Sequence, residues 1–175
     1  MLPLRSNLTY HFSYAVHPIS MHIHLPENAP KSADPVADIL RQSKTIAVVG
    51  LSSNPMRPSH GVAAYLQSAG FTIIPVNPNE SVVLGEKCYA SLEDIPVPID
   101  IVDVFRRPEL VPPIADSAIA IHAKCLWLQQ GITNEAAAEK AQAAGIVVIE
   151  DACLMVEFKR RRSGYVELLE ATSDQ

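Results

Sequence analysis

The stretch TIAVVGLSSNPMRPSHG, residues 45–61, decides the fold. Thr45–Val49 is a run of apolar and β-branched residues, the length of one buried strand. Gly50 stops it. A polar loop follows, Leu51–Pro58, and then an amphipathic stretch, Ser59–Ala69, that ends at Gly70. This order of strand, glycine turn, polar loop and helix start directs unpaired N–H groups and a positive dipole end at the strand's exit. An anion is the expected occupant of that exit.

The flanking sequence repeats the unit. Upstream, Asp34-Pro35 opens a helix with Asp as the cap and Pro at the first helical position, running to about Gln42. Downstream, Phe71–Val76 reads as a second strand, closed by the turn residues Asn77-Pro78-Asn79. Ser81–Ser91 is an irregular crossing, and Ser91 caps a short turn over Leu92–Ile95. Ile99–Val104 is a third strand, followed by Phe105-Arg106-Arg107-Pro108. Pro112-Pro113 marks the start of the next regular helix. Cys125–Leu128 is a fourth strand, leaving at Gln129-Gln130-Gly131. Asn134–Ala144 is an alanine-rich helix stopped by Gly145. Ile146–Ile149 is a fifth strand, leaving at Glu150-Asp151-Ala152-Cys153, and Met155–Arg162 reads as helix.

Strands and helices alternating at this spacing predict parallel pairing through right-handed crossovers. The strands read as buried on both faces. The predicted fold is α/β: a doubly wound open sheet of about five parallel strands with helices on both faces. Ligands of such sheets bind beyond the carboxyl ends of the strands, near the point where strand order reverses. The loops starting at Gly50, Asn77, Phe105, Gln129 and Glu150 are therefore the candidate site.

The 175 residues suit one domain, assigned to residues 31–162. Residues 1–30 carry two charges, Arg5 and Glu27, four of the six histidines and no amphipathic period. They read as a disordered arm whose removal leaves stability unchanged, with Met21 as an alternative start. His22 and His24 share a face if extended, but two histidines without a third ligand are weak metal evidence. Residues 163–175 read as a loose tail.

Net charge is −5, which argues against general nucleic-acid and membrane-surface binding. The apolar runs fall short of a membrane span, for which roughly 18 residues are needed. Cys88, Cys125 and Cys153 form no CxxC and no even set, which points to a reducing cytoplasm rather than a disulfide framework.

The glycine loop is neither G-x-G-x-x-G nor GK[ST]. Ser52, Ser53, Arg57 and Ser59 with backbone N–H groups nonetheless make a diphosphate cradle. An ordinary strand-to-helix loop with a surface arginine is the alternative. The second strand ends on Asn77-Pro78-Asn79 where NAD sites place an acid. A neutral end tolerates a phosphorylated ribose, which disfavours NAD and leaves NADP or coenzyme A open. Asp103, Arg106 and Arg107 border the third strand end, either as a salt-bridged strand end or in catalysis. Cys153 stands near a helix start that favours a thiolate, but no histidine is placed beside it as a base. His122 occupies a helix stop where glycine is usual. Lys159–Arg162 reads as a solvated helix end favoured by the dipole.

The segments TIAVVGLSSNPMRPSHGVAAYL, GFTIIPVNP, YASLEDIP, IDIVDVFR, AKCLWLQQGI with NEAAAEKAQAAG, and VVIEDACL together resemble the small CoA-binding proteins of the YccU type. Their Rossmann-like domain is related to the CoA-binding domain of the succinyl-CoA synthetase alpha subunit. The resemblance covers about Lys44 to Arg160. It implies that the diphosphate of coenzyme A lies against Gly50, Leu51, Ser52 and Ser53 and the helix start at Pro58 and Ser59, with Arg57 close by. It implies that Asn77 and Pro78 border the adenosine end, and that Val104, Phe105, Arg106, Gln129 and Gly131 line the pantetheine arm. Two departures from the family pattern stand out: Asp151-Ala152 before the cysteine of the last strand loop, where Arg or Asn-Arg is frequent, and His122 in place of glycine. The chain stops where the synthetase's second, histidine-bearing domain begins. The implied function is a binding module for CoA or an acyl-CoA, with a possible protein partner and no demonstrated reaction. An NADP-dependent oxidoreductase and an interaction subunit with a degenerate pocket are the alternatives.

Overall fold

The computed structural model describes residues 21–162. The expected tail after 162 and the first 20 residues of the expected arm lie outside the described residues.

The first element differs from expectation. His22–His24 forms a strand, β1, and Met21, Ile23 and His24 are buried. Helix α1, Pro35–Gln42, follows, its Asp34 cap accepting the Ala37 N–H at 3.0 Å. Strand β2 is Thr45–Val49, helix α2 Pro58–Ser68 and strand β3 Thr72–Val76. The crossing after β3 holds a two-residue-a-side hairpin, β4 Val82–Val83 and β5 Glu86–Lys87. Its turn puts Leu84 and Gly85 at φ 54° and 79°, the positive pair that a tight hairpin needs. Strand β6 is Ile101–Val104, and a 3-10 turn at Pro108–Leu110 leads into α3, Val111–Ala120. Pro112 and Pro113 fall in the first turn of α3, where their missing N–H groups have no helical partner to lose. Strand β7 is Cys125–Leu128, helix α4 Glu135–Ala143, strand β8 Val147–Glu150, and α5 occupies residues 154–162.

The sheet has the order β1-β8-β7-β6-β2-β3. Five strands are parallel, as predicted, and β1 adds an antiparallel edge beside β8. The arm boundary at residue 30 is thereby corrected. Ile23 pairs with Ile149, and a three-residue strand is too short to show a period in the sequence. The helices α1, α2 and α5 cover one face through Val36, Leu40, Val62, Leu66 and Leu154. The helices α3 and α4 cover the other through Val111, Ala115, Ala118, Ala138 and Ala141. The parallel strands are buried on both faces, which is why they read as continuous apolar runs.

Chain order reverses between β2 and β6. Val49 lies opposite Val76 on one side and Val104 on the other, and Val104 lies opposite Leu128. The carboxyl ends of four strands thus finish in one row, and their loops meet above it.

The basic run of the last helix is engaged rather than simply solvated. Arg161 bonds Asp34 at 2.9 Å and buried Glu157, so it ties α5 to the cap of α1. Lys159 stacks over the Tyr65 ring.

Candidate functional site

A cleft of about 870 Å³ opens at the reversal point. Gly50 makes it possible. Its φ is +87°, and a Cβ there would lie 2.8 Å from the Phe105 carbonyl oxygen and 3.2 Å from Arg106 Nε. Only glycine lets the loop after β2 pass this close to the loop after β6. The Gly50 N–H bonds Val76 O and the Phe105 N–H bonds Val49 O, so both loops leave a rigid ladder.

Helix α2 begins at the floor of the cleft. Helices α1 and α4 are capped by Asp34 and Asn134, each accepting an N–H at 3.0 Å. Helix α2 has Arg57 at its cap position and no side-chain cap. Ser59 is buried and its Oγ accepts the Ser52 N–H, which folds the loop back onto the helix start.

Of the residues expected from sequence, Gly50, Ser52, Arg57, Pro58, Ser59, Phe105, Arg106, Gln129 and Gly131 line the cleft together. Five others do not. Leu51 is fully buried and Val104 packs into the core under α3. Ser53 is exposed and bonded to Glu80. Asn77 Nδ2 donates to Leu51 O at 3.0 Å, bracing the loop from behind, and Pro78 is exposed beyond it.

Sequence reasoning missed Val62 and Ile132 in the lining, and placed Gln130, Arg107, Pro108 and Cys153 in its candidate loops without giving them a ligand contact. Val62 had a signal, since it stands three residues after Ser59 on the same helical face. Ile132 had none, because a loop carries no period.

Charge separates the cleft from the rest of the chain. The net charge is −5, yet the lining holds three arginines and no carboxylate. Arg57 and Arg106 pair with no acid among the described residues, whereas Arg107 meets Glu109 at 3.3 Å on the surface. Asp103 does not pair with an arginine, as the salt-bridge expectation had it. It is wholly buried, and its Oδ1 accepts from Gln129 Nε2 at 2.8 Å. Its Oδ2 has no hydrogen-bond partner among the described residues. Burial pushes its carboxyl up to about 7 against the pull of the Gln129 bond.

The departures from the family pattern fall in structural positions. Ala152 is buried and its carbonyl accepts from Trp127 Nε1 at 2.8 Å, so residue 152 sends no charge into the cleft. Asp151 has φ +56° and accepts the Gly131 N–H at 2.6 Å, fixing one wall. His122 sits at φ +55°, the left-handed stop that glycine usually fills.

The end of β3 is not free of negative charge. Glu80, three residues past Asn77, accepts the Ser53 N–H at 3.0 Å and the Ser53 hydroxyl at 2.8 Å. Those two bonds hold its carboxyl below the usual range. The neutral strand end read from Asn77-Pro78-Asn79 is corrected on this point.

Among the described residues no group of three or more His, Cys, Asp and Glu could hold a metal ion, and no helix is long and apolar enough to cross a membrane.

A family model for the CoA binding domain matches residues 44–159. The chain is similar to YneT, an uncharacterized protein of Bacillus subtilis strain 168, with 46% identity over 127 residues, 73% of this chain and 93% of that one. It is 36% identical over 73 residues, 41% of this chain and 11% of the other, to an ADP-forming acetate–CoA ligase II of Archaeoglobus fulgidus. Among solved structures, a hypothetical protein from Pyrococcus horikoshii OT3 superposes with a TM-score of 0.70 at 38% identity, covering 78% of this chain and 98% of that one.

Proposed function

The chain belongs to the CoA binding domain family, and from that premise we propose that its cleft is a binding site for coenzyme A or an acyl-CoA. The observation that carries the reading is the cleft's charge: Arg57, Arg106 and Arg107 and no carboxylate, over a helix start without a side-chain cap. Free N–H groups and guanidinium groups are what a diphosphate requires. The diphosphate would sit against Gly50, Ser52 and the start of α2, within reach of Arg57 and Arg106. The pantetheine arm would run past Phe105, Gln129, Gly131 and Ile132 toward Cys153, all of which line the cleft.

The reading is that of a binding module acting in the cytoplasm, alone or with a protein partner. A dehydrogenase would need an acid–base pair beside its nicotinamide, and the side chains that line the cleft include no histidine, tyrosine or lysine. Titration calorimetry of the purified chain with CoA and acetyl-CoA tests the proposal, alongside mass spectrometry of ligand released on denaturation. Saturable binding of either ligand at one site per chain is the expected result. Absence of heat with both, together with a different molecule released from the protein, would overturn it.

A further inference from the structure

We infer that Asp103 is a positioning residue for the ligand's arm: it holds the Gln129 side chain by its amide nitrogen, so that Gln129 Oε1 is presented to the cleft as an acceptor for an amide N–H of that arm. The inference rests on the reading of the cleft as a site for CoA or an acyl-CoA and assigns a recognition element within it.

Asp103 stands at an apolar position of the sheet. It is wholly buried, with Val48 of β2 opposite on one side and Trp127 of β7 opposite on the other, both fully buried. Ile101, on the same face of β6, packs with them in the apolar core. A carboxyl at such a place costs free energy unless hydrogen bonds satisfy it. Its one side-chain bond among the described residues is the contact of Oδ1 with Gln129 Nε2 at 2.8 Å, and Oδ2 has no partner there. That one bond goes to a residue of the cleft.

Gln129 has little other freedom. Its backbone N–H bonds Val104 O and its carbonyl accepts the Ile132 N–H, so the main chain is fixed at the exit of β7. What remains is the orientation of the side-chain amide, and Asp103 sets it. Oδ1 is an acceptor, so the amide nitrogen must face it; an amide oxygen there would meet it lone pair to lone pair. Gln129 Oε1 takes no hydrogen bond from the described residues, yet it is not sealed in the core as Asp103 Oδ2 and His24 Nδ1 are. It opens on the cleft that Gln129 lines. The three arginines of that lining only donate, and no carboxylate is present to accept. A fixed amide oxygen supplies what the amide N–H groups of a pantetheine arm need and the arginines cannot give.

The test is titration calorimetry with CoA and with adenosine 3′-phosphate 5′-diphosphate, which keeps the phosphates and lacks the arm. Asp103→Val suits a buried strand and accepts no hydrogen bond. It is expected to weaken CoA about three- to tenfold, the worth of one hydrogen bond, and to leave the arm-free ligand within about twofold. Gln129→Met should show the same pattern, and the double variant should lose no more than either single one. Asp103→Asn, which keeps an acceptor for the Gln129 N–H, should restore CoA binding to within about twofold of wild type. Equal weakening of both ligands by Asp103→Val, or additive losses in the double variant, would overturn the inference, because the carboxyl would then act on the fold rather than through Gln129. Gln129→Met binding CoA as the wild type does would overturn it too, and that result can be read even if Asp103→Val does not fold. Binding of neither ligand by the wild type would remove the CoA reading of the cleft and this inference with it.

Discussion

Gln129 Nε2 donates to Asp103 Oδ1 across 2.8 Å inside the sheet, beneath the cleft that Gln129 also lines. The bond joins β6 to the loop after β7 and commits the Gln129 amide nitrogen to the interior. What Gln129 has left for a ligand is its side-chain carbonyl oxygen and its second amide hydrogen, since its backbone N–H is bonded to Val104 O and its backbone carbonyl to the Ile132 N–H. The same bond leaves a carboxyl group in the core with one oxygen that has no partner among the described residues.

That arrangement predicts a pH signature. The folded-state carboxyl of Asp103 stands at about 7 because of burial, above the unfolded value of about 3.9. Between those values the unfolded chain gives up its proton and the folded chain keeps it. Stability is therefore lost as pH rises from about 4 to 7 and levels off above. Asp103→Asn removes the titration, so it should gain stability relative to wild type as pH rises, by on the order of 4 kcal/mol between pH 4 and 8. Urea unfolding at a series of pH values reads the difference directly. A pH-independent difference would mean that the group is ionised in the folded protein.

The N-terminal edge strand predicts the opposite of a dispensable arm. His24 Nε2 meets Glu150 Oε2 at 2.7 Å, both groups are buried, and Glu150 Oε1 accepts the Asn134 N–H that starts α4. Two truncations isolate the strand, one starting at Met21 and one at Leu25. The second removes buried Met21, Ile23 and His24 and leaves Glu150 without its histidine. Loss of about 2–4 kcal/mol is expected relative to the first, or a melting temperature lower by more than about 8 °C. Equal melting of the two truncations would show that β1 contributes nothing to stability.

The parallel strands and most of the loops that form the cleft were legible in the sequence because they follow from local signals. Gly50 after an apolar run, Asn134 before an alanine-rich helix and Gly145 after it each act within a few residues. What was not legible depends on distance. His24 finds Glu150 126 residues away. Asp103 looked like a strand-end charge because one-dimensional pattern cannot tell the last exposed residue of a strand from the last buried one. Glu80 lies three residues past a strand end, and only the turn from Asn77 to Glu80 reveals that it reaches Ser53. Asn77 and Pro78 carried the right loop but the wrong contact, since the amide of Asn77 faces Leu51 rather than the cleft.

Asp100 should carry part of the acid stability. Burial alone would raise its pKa. Bonds from Lys124, the Lys44 and Thr45 amides and the Thr45 hydroxyl outweigh that and hold it at about 2. A folded value below the unfolded one gives stability that is present above about pH 4 and lost as pH falls toward 2. Asp100→Asn should cost about 1–2 kcal/mol at pH 7, and the gap should close by about pH 2. Acid titration of both proteins by circular dichroism checks it.

Gly50 and Gly85 separate strain from steric closeness. Both have positive φ, 87° and 79°, but a Cβ at Gly85 meets nothing within 4 Å whereas one at Gly50 meets Phe105 O at 2.8 Å. Gly85→Ala should cost about 1 kcal/mol of backbone strain. Gly50→Ala should cost at least about 2 kcal/mol and move Arg106 out of its place in the cleft, lowering CoA affinity as well. Denaturant melts rank the two, and calorimetry reads the affinity. Equal costs would mean that the two loops part without resistance.

The last prediction concerns the two arginines that have no acid of their own. Arg57 stands at the start of α2, and Arg106 stands against Gly50 on the loop after β6. They approach the cleft from opposite sides of the reversal point. A charge-assisted hydrogen bond is worth roughly 1.5–3 kcal/mol, and each 1.4 kcal/mol is a factor of ten. Arg57→Ala and Arg106→Ala should each weaken CoA binding by about ten- to a hundredfold. Arg107→Ala, exposed and already paired with Glu109, should change it less than about threefold. If Arg57 and Arg106 hold one diphosphate, their losses are coupled. The double variant should then lose less than the product of the two single effects, because the phosphate released by one arginine no longer rewards the other. A double-mutant cycle by calorimetry decides it. Strict additivity would assign the two arginines to separate groups of the ligand, and single variants that bind CoA as the wild type does would remove the diphosphate from this end of the cleft.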